Sequence, residues 1–430
     1  MYRTLMAWRY LILLYGATFL VLLPVICRHI RHTNLEFLYT RNETAACQRL
    51  INENEARVND SLLKMQKYKQ KKTFCDMFPY SCSNTVKLHE IGADRKRNTS
   101  SETQFVFNNR QFGAGLAITV ITSYRNSSKL NYNGQYLLQT VAKLLDIMNN
   151  TLMSEVPIYF SVCNIDLYPD EHQDIKLLPK WIPVYTRYSE TNSSTKHLTY
   201  NELLNKEKED YVYCLNQVSN QTASYFLVLE DDAFPHDNVF TVLSQLMVSK
   251  RHLTSNGVYI PSLQDVTYVK LYHPERLIGY IAFDYERIPE FISLSVIFTA
   301  VCLLICSFVI TSSRITARAV YVTFLYTALV VLALDRHTLI EVRRISDHLF
   351  YMTPAPSCCS PAILFPRKGA QLMIRELTPL KCKKGFAKDT AMETIVKRLR
   401  LDARLVQPNL FTHIGHFSSL RNDLLNPFIV

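Results

Sequence analysis

The chain has 430 residues, enough for one large domain or two smaller ones. It is 48% hydrophobic with a net charge of +11, and the charge is diffuse apart from one cluster, Lys64, Lys67, Lys69, Lys71 and Lys72. No zinc-finger spacing and no aromatic ribonucleoprotein box accompanies that charge, so a nucleic-acid partner is excluded; the cluster reads as a solvated helix face, with anionic lipid headgroups as the alternative contact.

In chain order, a short tail (1–9) precedes the first of three apolar runs that approach membrane-spanning length, about 20 residues. This run, Tyr10 to Cys27, has no small-residue cleavage pattern and is followed at once by Arg28, His29, Arg31 and His32. It reads as an uncleaved signal anchor (10–27). Arg3 and Arg9 before it balance Arg28 and Arg31 after it, so flanking charge does not orient it. The second and third runs are Phe291 to Ile310 and Ala319 to Leu334. The third is short, and Arg318 can snorkel to lengthen it; the alternative is a buried helix of a soluble core. Sequons supply the orientation. Those at Asn42, Asn59, Asn98, Asn126, Asn149, Asn192 and Asn220 all lie between the first and second runs. That interval therefore faces the secretory lumen. The second and third runs form a hairpin (288–337) whose turn, with Arg314 and Arg318, is cytoplasmic.

Between anchor and hairpin, 28–114 reads as stem and linker. Leu35, Leu38, Leu50, Val58, Leu62 and Met65 follow helical spacing, and Thr73 to Arg110 is polar and irregular. The pattern changes at Leu116. Leu116–Thr122, Pro157–Asn164, Trp181–Tyr185 and Tyr225–Leu229 read as strands, with helices over Gln135–Met148 and Asn201–Gln217 between them. Such alternation indicates an open α/β sheet, whose ligands bind beyond the carboxyl ends of the strands. After the hairpin, Pro361–Pro366 reads as a further strand and Gly385–Asp389 leads into a helix running to about Leu401. One α/β domain, 115–287 and 338–430, is thus interrupted by the hairpin. Two separate domains are disfavoured, because the tail is short and poor in strands.

Cysteine usage fits an oxidising lumen. Cys27, Cys302 and Cys306 sit in apolar runs. Cys75 and Cys82 can close a small loop, and Cys163 and Cys214 can tie down the region before the acids. Cys358 and Cys359 pair with each other or with separate partners. A zinc site lacks a Cys-x-x-Cys pair.

Chemistry concentrates where the run Tyr225–Leu229 ends in Glu230, Asp231 and Asp232. Unpaired acids at a strand end repel one another and lose hydration, so a cation is expected among them. A hard divalent ion bridging to a nucleotide diphosphate is the natural candidate; an acidic turn is the plain alternative. His413 is either a metal- or phosphate-facing imidazole or a core histidine.

The segments Lys206–Leu215, Leu229–Ala233, Val269–Leu277, Cys358–Pro366, Lys384–Asp389 and Pro408–Arg421 resemble, in that order, blocks of the post-GPI-attachment-to-proteins GalNAc-transferase family. The hairpin falls between the third and fourth blocks, as in the family. The resemblance covers Leu116 to the C-terminus and the first span, not the stem. It implies a GT-A type glycosyltransferase domain (a Rossmann-like open sheet) split by two membrane helices, in the Golgi membrane with its catalytic domain lumenal. It implies Mn2+, UDP-GalNAc as donor, the mannose core of GPI-anchored glycoproteins as acceptor, and inversion at the sugar carbon. Asp232 is the implied metal ligand with His413, and Glu230 is placed on metal-bound water or ribose. Asp389 is the implied base and Asp231 its runner-up; an acid in a first helical turn also simply complements the dipole. Thr122, Ser123 and Arg125 are placed at the nucleotide base, although Ser-Tyr-Arg stands where an acid is expected before the arginine. Lys270 and the Tyr272–Arg276 block face the acceptor or make structural contacts. The alternative function is a non-enzymatic lumenal glycan-binding protein with a retained fold, which has no need of three acids together with a distal histidine. A transporter is excluded by the absence of an ionisable pair deep in the apolar runs.

Overall fold

A computed structural model describes residues 12–27, 43–71, 115–127, 132–150, 158–188, 198–248, 252–253, 259–260, 262–280, 285–309, 316–418 and 423–424. The Cys75–Cys82 loop, most of the linker, the hairpin turn and the sequons at Asn42, Asn98 and Asn192 lie outside them. The chain divides into two units. Ile51–His273 with Phe350–Leu425 form one, and Met1–Leu50 with Pro274–Leu349 form the other.

The larger unit is built on strands β1 (Leu116–Thr122), β2 (Ile158–Asn164), β3 (Val184–Thr186), β4 (Tyr225–Glu230), β5 (Ala233–Pro235), β6 (Tyr268–Lys270), β7 (Tyr351–Pro354), β8 (Ala362–Pro366), β9 (Ala403–Gln407) and β10 (Phe411–His413). Eight of them make one mixed sheet in the order β7-β9-β6-β8-β4-β1-β2-β3; β5 and β10 pair separately. From β3 to β4 the strands run parallel, and β8 is antiparallel to both β4 and β6. Every residue of β1 is buried, as its largely apolar, β-branched run requires of a strand covered on both faces.

Alternation along β1 sorts its side chains between two layers. Leu116, Ile118 and Val120 face one core with helices α2 (Tyr136–Asn150) and α4 (Val239–Val248), while Ala117 and Ile121 face a second core with α3 (Tyr200–Ser219), α5 (Arg367–Leu377) and α6 (Lys388–Leu399). Here α1 is Glu43–Lys69. It is the helix read as a stem, and from Ile51 onward it is docked on this unit. Met65 and Tyr68 enter the first core. Arg57 Nε donates to Gln139 Oε1 at 2.8 Å, and Lys64 pairs with Asp146 at 2.9 Å. Lys64 thus leaves the solvated cluster for an ion pair. A Thr199–Glu202 capping box starts α3, and the Cys163–Cys214 disulfide ties that helix to β2. Cys358 and Cys359 do not form the disulfide read as one option for them: both are free thiols, each at positive φ.

The strand read at Trp181–Tyr185 begins later, at Val184. Strands β6, β7 and β9 and helices α4 and α5 are additions to the sequence reading. Each of those strands has five residues or fewer and carries polar or proline positions, so periodicity alone does not reveal it.

In the smaller unit, Ile288–Phe308 and Ala317–Ile345 are long and apolar enough to cross a membrane, and Ile12–Cys27 is a shorter apolar helix. Hydroxyls join the two long helices: Thr299 and Thr327 meet at 2.8 Å, and Thr327 also donates to the Ser295 carbonyl at 3.1 Å. In lipid, where the hydrophobic drive between helices is missing, such groups would supply part of the attraction. Thr18 meets the Tyr326 hydroxyl at 2.7 Å. One residue past Leu334 the helical conformation breaks at Asp335 (φ 63°, ψ 159°). The Asp335 carboxylate accepts the backbone N–H of Tyr280 at 2.8 Å and of Arg336 at 2.7 Å. Arg336 Nε bridges both oxygens of Glu290, at 3.0 and 2.9 Å.

Candidate active site

Four parallel strands end on one side of the sheet, and their last residues are level. Thr122 lies opposite Asn164, and Ile121 opposite Glu230. The chain therefore leaves β1 into Ser123–Arg125 beside the point where it leaves β4 into Asp231 and Asp232. It returns at once as β5, which pairs with β10 so that His413 faces Ala233. The Ile414 N–H then donates to the Asp232 carbonyl at 2.9 Å. This antiparallel pair carries a C-terminal histidine to the acids. Together these ends line a cleft of about 520 Å3 that also takes in Asp166, Glu207, Lys388 and Gly415, a size within the usual range for small-molecule sites.

Asp231 and Asp232 are both buried. One guanidinium bridges them: Arg125 Nη2 is 2.5 Å from Asp231 Oδ1 and Nη1 is 2.6 Å from Asp232 Oδ2. Thr122 Oγ1 donates to Asp231 Oδ2 at 2.9 Å and meets His172 Nε2 at 2.8 Å. With its proton given to Asp231, the threonine accepts from His172. His413 Nε2 stands 3.3 Å from Asp232 Oδ2 and stacks on Tyr272. Burial pushes the Asp231 carboxyl up to about 7, against the pull of Arg125. Burial also opposes ionisation of Asp232, but Arg125 and His413 outweigh it and hold this carboxyl well below the usual carboxylate range. The same carboxylate overcomes burial to raise His413.

Glu230 points to a different partner. Lys388 Nζ lies 2.9 Å from Glu230 Oε1 and 3.0 Å from Glu207 Oε1, over the Tyr211 ring. Burial raises the Glu230 carboxyl despite this lysine. Asp389, next in the chain, is turned away: its oxygens accept from the Cys359 N–H at 2.7 Å and the Ser360 hydroxyl at 2.6 Å, and it is not among the residues lining the cleft. Lys270 is buried and donates to the carbonyls of Pro356 and Cys358, which is the structural alternative for that residue. Ser123 lines the cleft. Thr122 and Arg125, placed at the nucleotide base by resemblance, are committed here to the aspartates.

Among the described residues, no three His, Cys, Asp or Glu side chains converge as a metal cage. One observation nevertheless fits a hard cation: Asp232 Oδ1 is buried without a hydrogen-bond partner. An ion that binds with substrate phosphates needs only one or two protein ligands. Asp232 and His413 match that sparse donor set.

A family model described as GPI-N-acetylgalactosamine transferase PGAP4 matches residues 116–412. The chain belongs to this family. The match opens on the first residue of β1 and closes inside β10, so it spans the whole mixed sheet, the three acids and the two long apolar helices. PGAP4 proteins are glycosyltransferases of GPI, as the sequence blocks indicated. His413 and Gly415 fall just beyond the matched residues.

Gly415 and Lys388 are among the cleft residues that escaped the sequence reading although their blocks were quoted. A Cβ on Gly415 would lie 2.3 Å from Asp232 Oδ2 and 3.1 Å from His413 Cε1, so this glycine makes room for the pair. Lys388 precedes Asp389, and only the packing of α6 against α3 shows that the lysine, not the aspartate, enters the cleft. Tyr136 was hidden inside a helix. Its ring lies under Arg125 at 5.2 Å, and its hydroxyl accepts from the His416 N–H at 2.9 Å.

Proposed function

We propose that the protein transfers N-acetylgalactosamine from UDP-GalNAc to the mannose core of GPI anchors on glycoproteins, with inversion and with Mn2+. The observation that carries this reading is the cluster of Asp231, Asp232 and Arg125 at the carboxyl ends of parallel strands, inside the segment that matches the family, with His413 brought to it one residue past that segment. The sheet supports a GT-A type fold: a parallel half, where a nucleotide binds beyond the strand ends, is continued by an antiparallel β8 that carries the second half of the chain.

Asp232 and His413 would hold the metal, which when bound neutralises charge on the departing diphosphate. Glu230, fixed by Lys388 through one oxygen, offers the other to a ribose hydroxyl. In the displacement, the acceptor oxygen bonds to the sugar carbon, the bond from that carbon to the diphosphate oxygen breaks, and the acceptor proton passes to a carboxylate. Of the two aspartates considered for that proton, Asp231 lines the cleft and Asp389 does not. The two long apolar helices and the Ile12–Cys27 anchor hold the enzyme in the Golgi membrane with its cleft in the lumen, where GPI glycans are displayed at the bilayer surface. Attachment to the same surface as the acceptor raises its local concentration.

The test is turnover of a panel of UDP-sugars by detergent-purified protein with a GPI-glycan acceptor, with and without Mn2+. Metal-dependent transfer from UDP-GalNAc is expected. No turnover of any donor by folded protein would sink the reading.

A further inference from the structure

We propose that Arg125 is the counter-ion of Asp231 and Asp232 in the protein without ligand, and that a divalent cation and a nucleotide diphosphate displace it only by binding together. The inference rests on the metal-dependent reading above. Its starting point is an unusual division of one guanidinium. An arginine commonly forks onto a single carboxylate; here each terminal nitrogen goes to a different residue, at 2.5 Å to Asp231 and 2.6 Å to Asp232. That is the position of a bridging cation. The guanidinium is itself largely buried, with 15% of its side chain exposed against 4% and 3% for the two aspartates. Its satisfaction is incomplete. Arg125 Nε is buried with no hydrogen-bond partner, and so is Asp232 Oδ1. The third contact of the head group is a long one, 3.4 Å to the Phe417 carbonyl.

These facts make both half-loaded states costly. Two adjacent buried carboxylates need a counter-charge, which Arg125 provides when nothing else is bound. A divalent ion arriving alone at Asp232 meets a guanidinium already seated on Oδ2. Expelling it without a new anion leaves a buried arginine unpaired, and such orphaned charges are strongly unfavourable. A diphosphate arriving alone brings more negative charge to two acids and finds the cation that bridges them engaged. When both arrive, the ion takes over the neutralisation of Asp232 and the guanidinium passes to the diphosphate, whose oxygens suit its planar donors. Every charge is then paired. The cost of each half-loaded state becomes a coupling free energy between the two ligands, and such a coupling is reciprocal. Departure of Arg125 also uncovers Asp231 Oδ1. The carboxylate proposed to receive the acceptor proton is therefore masked until the donor is in place.

The experiment is direct titration of Mn2+ into the detergent-purified full-length protein, with free Mn2+ read by electron paramagnetic resonance, in the absence and presence of saturating UDP. Wild type should bind Mn2+ at least about tenfold more tightly with UDP than without it. Arg125→Met should bind Mn2+ at least about tenfold more tightly than wild type when UDP is absent, should gain little from UDP, and should bind UDP more weakly when Mn2+ is present. Arg125→Lys, which can reach one carboxylate at a time, should fall between. If Arg125→Met alone does not fold, Arg125→Met/Asp231→Asn restores the charge balance and is compared with Asp231→Asn by the same titration. Unchanged or weakened Mn2+ affinity on loss of Arg125, with UDP still strengthening Mn2+ binding to wild type, would overturn the counter-ion proposal and leave the metal reading standing. UDP binding with no Mn2+ binding by any protein would overturn both, and would make Arg125 the permanent counter-charge.

Discussion

Asp232 is held from two sides, by Arg125 at 2.6 Å and His413 at 3.3 Å, while its other oxygen stays buried and unpaired. Asparagine keeps the shape of this side chain and removes its charge, and Arg125 still has Asp231 to pair with. Asp232→Asn should therefore fold, with an unchanged near-ultraviolet spectrum, yet lose transfer by about a hundredfold or more. Activity close to wild type would remove Asp232 from the metal site. Gly415 allows a different probe. Its backbone does not need glycine for conformational reasons; what it lacks is room, since a Cβ would press on Asp232 Oδ2 at 2.3 Å. That oxygen is the end of a side chain, but Arg125 prevents it from swinging aside. Gly415→Ala should thus lower turnover far more than it lowers the melting temperature. Equal losses in both would show that the glycine serves only packing. In the sequence the acids are legible because an apolar strand stops at them. The bridging role of Arg125 is not, because it depends on β1 lying next to β4, a non-local fact.

At the scale of elements, the parallel strands β1, β2 and β4 are readable for a simple reason: burial on both faces demands a mainly apolar run with no exposed polar face. Strands β5 and β10 have only three residues each, and their pairing positions His413, so the element that completes the site carries almost no periodic signal. The short helix Gln173–Leu177 is of the same kind. It tucks Asp174 under α2, where the carboxylate accepts the Leu138 backbone N–H and burial raises it to about 6. The native state therefore holds this proton more tightly than the unfolded chain, whose aspartate titrates near 4. The stabilisation is complete below about pH 4 and is lost as the pH rises through about 6. Two pH units correspond to about 3 kcal/mol. Asp174→Asn should flatten that part of the curve of denaturation midpoint against pH. A variant with the same slope as wild type would show that another group carries it.

At the scale of the whole molecule, the decisive pairing is that of β8. It lies between β4 and β6, and both neighbours precede the two long apolar helices while β8 follows them. Strands β9 and β7 continue the same sheet beyond β6. The sequence suggested an interrupted domain from the poverty of strands in the tail; the sheet order gives the physical reason, since β8 and β9 are both completed by strands of the first half, and within the tail only β7 and β9 pair with each other. From Phe350 onward the chain can bury β8 only by inserting it between strands of the first half, with five residue pairs to β4 alone. A protein expressed as two chains, divided between the apolar helices, should consequently reassemble. Differently tagged halves should co-purify from detergent and retain transfer activity, because the sheet and not the covalent turn holds them together. The second half expressed alone should be degraded or aggregate, since one face and both edges of β8 are then uncovered. A second half that is monomeric and protease-resistant on its own would mean that it folds independently, and the single sheet would have to be abandoned as the organising unit of this protein.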